Sequence, residues 1–202
     1  MMVIRTHFLS YNPRNAIDVQ LRKLSLAERG TEDWTKAGRV PNLVHSLISG
    51  VLREARSRAT ADAGKRLHRV SHRCDSNVLH ADVLSQLMWG TWVKLIGQSQ
   101  TCKNTIVQQK LWRDCLNRAF KHGPSGEAGR LKLSKQLFYL RNVRNSEAHF
   151  DNLYNAAQGI NRIINACYSV LNSIDPDLTH GWVDSRLLRR KARELKGLTP
   201  FD

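Results

Sequence analysis

Residues 107–120 read VQQKLWRDCLNRAF. Val107, Leu111, Trp112, Cys115, Leu116, Ala119 and Phe120 stand at i, i+4, i+5, i+8, i+9, i+12 and i+13, which is one face of an α-helix. Gly123 and Pro124 stop it. The same period recurs on both sides. Upstream, Pro41 opens a segment with Leu43, Val44, Leu47, Ile48, Val51, Leu52 and Ala55 at amphipathic spacing. Ile17, Leu21 and Leu24 mark a helix over 15–28. Residues 77–97, with Leu84, Leu87, Met88, Trp92, Leu95 and Ile96, read as a central, largely buried helix. Between these, 56–75 is basic, carries Gly64 and little apolar periodicity, and reads as a long connection with room for a short helix. Downstream, Leu131 to Val143 is a helix. From Phe150 on, Leu153, Ala157, Ile160, Ile164, Cys167 and Leu171 mark a longer one, ended by Asp175-Pro176. The tail from Asp184 to Lys196 reads as a short basic helix. Strand-type alternation is absent, so the expected fold is an all-α, up-and-down bundle strapped by a C-terminal helix.

The chain has 202 residues, room for one domain with a core over about 15–190 and a basic C-terminal helix and tail at 184–202. No apolar run is long enough to span a bilayer, so no membrane role is expected. Thirty-two Lys and Arg against seventeen Asp and Glu give a net charge of +15. Such an excess attracts polyanions, with nucleic acid the leading partner. Cys74, Cys102, Cys115 and Cys167 form no CxxC and no export signal precedes them, which points to reduced thiols in a cytoplasm. Cys115 and Cys167 fall on apolar faces, where they act as small hydrophobes.

The stretch 141–149, RNVRNSEAH, carries the chemistry. On a continuous helix Arg141, Arg144, Asn145 and His149 fall within an arc of about 140°. Two guanidiniums, an amide and an imidazole thus share one polar strip. Guanidiniums grip phosphate bidentately. An imidazole moves protons near neutral pH, and an amide orients it. RNA strand cleavage needs little more, because the 2′-hydroxyl nucleophile is already on the substrate. No metal or other cofactor is called for.

RNVRNSEAH resembles the Arg-Asn-x3-His signature of HEPN domains, an all-helical ribonuclease superfamily. The flanks are similar to its bacterial abortive-infection (Abi-like) branch, with Leu140, Arg141, Val143, Arg144, Asn145 and His149 in step. LSQLMWGTWVKLI at 84–96, Leu111, Trp112 and Phe120, then Ile174, Pro176, Leu178 and Trp182 match further segments of that branch. Near the N-terminus, IDVQLRK at 17–23 resembles a segment that follows the branch's first helix, itself shortened or missing here, and places Asp18 and Arg22. Ser146, Phe150, Asp151 and Asn152 depart from its pattern. The resemblance implies an HEPN-like bundle acting as an endoribonuclease in phage defence. It implies a homodimer with one composite site and restraint by a protein or RNA antitoxin. Arg144 of both chains would hold the scissile phosphate. His149 of one chain would act as base and His149 of the other as acid, with Asn145 orienting them. Asp18 and Arg22 would be supports behind the site, although an i,i+4 acid–base pair is also an ordinary helix ion pair.

Further phosphate contacts are expected from Arg66, Arg69 and Arg73 in the basic connection and from Arg189 and Arg190 in the tail, or these are solvated faces. His68, His72, Cys74 and His80 lack a recognised zinc spacing. Trp89, Trp92 and Trp112 belong to the core or a dimer contact rather than to a base-stacking surface. Two other readings stay open: a non-catalytic RNA-binding component of a ribonucleoprotein, and a helical protein-interaction module.

Overall fold

A computed structural model describes residues 6–66, 76–97, 104–148 and 159–179, with positions 186, 189, 190, 193 and 194; side chains are described for these except 6–12, 66, 147 and 148. Among the described residues every regular element is helical and none is a strand. The elements are α1 (Thr6–Arg29), α2 (Asn42–Arg66), α3 (His80–Ser85), α4 (Trp89–Ile96), α5 (Thr105–Asp114), a 3-10 turn (Leu116–Phe120), α6 (Gly126–Ala148) and α7 (Ile160–Ile174). None of these helices is long and apolar enough to cross a membrane. The residues gather into two compact units, Ile17–Leu116 and Met1–Ala16 with Asn117–Asp202.

In the first unit α2 packs against α3, α4 and α5. The spacing read from sequence is the buried face: Val44, Leu47, Ile48, Leu52 and Ala55 are all enclosed. The helix then continues to Arg66, where the sequence reading expects a connection. The stripe does not stop at Ala55 but runs on through Ala59 and Ala63, each about as buried as Leu52. Small side chains let neighbouring elements come close, and they escape a search for large apolar residues. The expected single helix over 77–97 is two short ones, α3 and α4, separated at Gln86–Met88. Likewise the 107–120 face is shared by α5 and the 3-10 turn, with Cys115 (φ −140°, ψ −66°) breaking the helix between them. Trp92 and Trp112 are core residues, as the sequence reading has them, and so are Cys115 and Cys167.

In the second unit α6 packs on α7. Ile160, Ile163, Ile164, Cys167, Val170 and Leu171 of α7 are buried, and Asn161, Arg162, Asn165 and Asn172 are exposed. Each fully buried aliphatic side chain is worth roughly 1.5–3 kcal/mol. The turn before α6 is closed by a close backbone approach. A Cβ on Gly129 would stand 1.8 Å from the carbonyl oxygen of Pro124. Gly129→Ala is therefore expected to cost about 1–3 kcal/mol by overpacking. Gly64→Ala in α2 meets open space and is expected to gain about 0.5–1 kcal/mol. Urea midpoints of the two variants against the parent protein check the contrast.

Candidate functional site

The heptad stripe of α6 runs Arg130, Leu133, Leu137, Leu140, Arg144, at spacings that keep one face of a helix. Its first four members are buried. Arg130 is fully enclosed and is held by Glu127 through two charge-assisted bonds, Nε–Oε2 at 2.8 Å and Nη2–Oε1 at 2.6 Å. Arg144, next in line after Leu140, is exposed. The face that serves as core along most of α6 thus ends in a solvent-facing guanidinium. Asn145 beside it is exposed, and Arg141 is partly covered. The Arg141 guanidinium lies 4.4 Å from the centroid of Phe138, one turn earlier, and its Nε has no hydrogen-bond partner. Neither Arg141 nor Arg144 forms an ion pair among the described residues. The helix brings Arg141, Arg144 and Asn145 to one strip. His149 lies outside the described residues, immediately after the last residue of α6.

Of the other expected phosphate contacts, Arg66 ends α2, while Arg69 and Arg73 lie outside the described residues. Arg189 and Arg190 are helical and exposed. Arg189 Nε donates to Asn161 Oδ1 at 3.3 Å, and Arg190 stands 3.9 Å from Glu194.

Asp18 and Arg22 do form the i,i+4 ion pair, Arg22 Nε to Asp18 Oδ2 at 3.0 Å, but the pair belongs to a larger cluster. Asp18 Oδ1 accepts Trp34 Nε1–H at 2.7 Å and faces His80 Nε2 at 2.9 Å. The other ring nitrogen, Nδ1, faces Thr35 Oγ1 at 2.9 Å and Asp33 Oδ1 at 3.1 Å. The Thr35 hydroxyl donates to Asp33 Oδ1 at 2.7 Å, so towards the ring it acts as an acceptor. A His80 ring with protons on both nitrogens satisfies every one of these partners. Trp34 is fully buried and meets the His80 ring edge-on, with centroids 5.8 Å apart. Arg56 Nε donates to the Thr35 carbonyl.

The cluster sets its own electrostatics. Burial pushes the Asp18 carboxyl up, but hydrogen bonds from His80 and Trp34, and the charges of His80 and Arg22, outweigh it and hold the group below the usual carboxylate range. Asp33 follows the same pattern, with burial outweighed by Thr35 and His80. Burial lowers Arg56, with Asp33 acting against the shift. Both nitrogens of His80 being engaged, the ring has none to offer a metal in this arrangement. Among the described residues no three His, Cys, Asp or Glu side chains gather in a metal-holding group.

Sequence reasoning missed Asp33, Trp34, Thr35 and the true role of His80. One signal existed: a Trp destined for the core needs an acceptor for its N–H, which here is Asp18, while the flanking Asp33 and Thr35 face His80. No local spacing connects Asp18 to a histidine 62 positions away. Comparison with protein-family models, with curated proteins and with solved structures gives no match, so what the chain does has to be argued from its own residues.

Proposed function

We propose that the chain is a metal-independent endoribonuclease of the HEPN type, acting in abortive infection as a homodimer and restrained by an antitoxin. The observation that carries the reading is the end of the α6 stripe. A position whose register belongs to the core holds Arg144, exposed, in no ion pair among the described residues, and flanked by Arg141 and Asn145. An exposed guanidinium at that position is free to meet an anionic ligand. The net charge of +15 and the resemblance to the Abi-like branch support the same reading.

In this mechanism Arg144 of both protomers grips the scissile phosphate. His149 of one protomer takes the proton of the 2′-hydroxyl, which attacks its own phosphorus. The bond to the 5′-oxygen breaks, and that oxygen leaves with a proton from the partner's His149. The products are a 2′,3′-cyclic phosphate and a 5′-hydroxyl. Asn145 orients the imidazole. Proton transfer by such a group is worth about 10²–10⁴ in rate, and charge stabilisation a similar factor.

The test is purified protein on mixed RNA in EDTA, followed by end-group analysis. Cleavage that persists in chelator and leaves cyclic phosphate ends is expected. Cleavage abolished by chelation overturns the mechanism, and RNA binding without cleavage replaces the enzyme by a binding component.

A further inference from the structure

Apart from the Arg130–Glu127 pair at the start of α6, the described cations of α6 and α7 differ from those of α2. In α2, Arg58 pairs with Glu54 at 3.0 Å and Lys65 with Asp62 at 3.9 Å. Over 128–146 and 160–174 the sequence holds Arg130, Lys132, Lys135, Arg141, Arg144 and Arg162, and no Asp or Glu. Lys132 and Lys135 are exposed and, like the exposed Arg162, form no ion pair among the described residues. Lys132, Lys135 and Tyr139 follow one another along a single side of α6. That side is turned about 140° around the helix from Arg144. It is therefore a different surface from the Arg144 strip.

α7 completes it. The Arg162 guanidinium lies over the Tyr139 ring at 4.5 Å from its centroid, a cation–π pair that holds a planar cation in place. Its neighbour Asn161 accepts from Arg189, which tethers a second guanidinium to the same helix end. Two ammoniums share one side of α6 with the ring that holds the Arg162 guanidinium, and a guanidinium tethered to α7 lies beside it. Ammoniums suit phosphates, and a planar guanidinium suits the face of an unstacked base.

We propose that Lys132, Lys135 and Tyr139 of α6, Asn161 and Arg162 of α7, and Arg189 form a second RNA-binding face, which grips a single strand away from the reacting phosphate. This rests on the RNA reading above but not on cleavage. Bases reach the Tyr139–Arg162 pair only when unstacked, so a flexible strand is held better here than a duplex.

The experiment compares the protein with a Lys132→Ala, Lys135→Ala, Arg162→Ala triple variant. Binding is measured by fluorescence anisotropy on a long labelled single-stranded RNA, with His149→Ala in both proteins so that the RNA survives. The triple variant is expected to bind roughly tenfold more weakly. The slope of log affinity against log salt should become shallower by about 2, because three cations no longer neutralise phosphates. With His149 present, KM for the long RNA rises while kcat holds, and turnover of a dinucleotide is unchanged. Arg162→Lys, which keeps the charge without the plane, falls between parent and Arg162→Ala. Unchanged binding by the triple variant overturns the second face, and cleavage by the parent still leaves the nuclease standing. A parent that binds but never cuts, paired with a weakened triple variant, supports the face and overturns the nuclease. A parent that binds no RNA overturns both.

Discussion

His149→Ala is expected to lower RNA cleavage by about 10²–10⁴ while leaving RNA affinity within about twofold. In the proposed mechanism the imidazole moves protons and the guanidiniums hold the anion. Loss of the ring therefore shows in kcat, and loss of a grip shows in affinity as well. Arg144→Lys is a useful companion. It keeps the charge but not the fork that matches two phosphate oxygens, so it should remain well below the parent enzyme. The composite character has its own signature. If each protomer supplies one His149, a mixed dimer of parent and His149→Ala chains does not cut. Activity in re-equilibrated mixtures then falls as the square of the parent fraction. A linear fall would mean that each chain acts alone. Quenched-flow or gel-based rates on one defined RNA suffice for both measurements.

Asp18→Asn is expected to cost about 2–3 kcal/mol of stability, because it leaves the Trp34 and His80 donors facing a neutral amide in a largely buried site. For a domain of this size that is a fall of about 5–10 °C in Tm. The effect depends on pH with a definite sign. The Asp18 and Asp33 carboxyls sit below the ordinary value of 3.8 in the folded chain. Between the folded and unfolded values the unfolded chain binds more protons, so stability rises with pH there. Their contribution is complete above the unfolded value and is lost as pH falls through the depressed folded ones. The difference in denaturation midpoint between parent and an Asp18→Asn, Asp33→Asn double variant should therefore narrow on acidification below about pH 4. Parallel curves down the acid limb would show that the two carboxylates are not what the cluster depends on.

Helix positions were legible wherever large apolar residues kept a period, as at Val44 to Leu52 and Ile160 to Leu171. The extension of α2 was not, because Ala59 and Ala63 bury by being small rather than by being greasy. The breaks at Gln86–Met88 and Cys115 were not legible either, since an apolar face passes over a local break without changing its period. Of the candidate site, Arg141, Arg144 and Asn145 could be placed from spacing alone, since i,i+3 and i,i+4 neighbours share a helix face by geometry. Asp18 and Arg22 were legible as a pair and illegible as a cluster. Their remaining partners, Asp33, Trp34 and His80, come from a turn and another helix.

The His80 ring has a kinetic consequence. It joins residues 62 and 47 positions away along the chain, so these bonds close only after the polypeptide between them has been organised. Such long-range closure cannot seed the fold, and it slows escape from the finished state more than it hastens arrival.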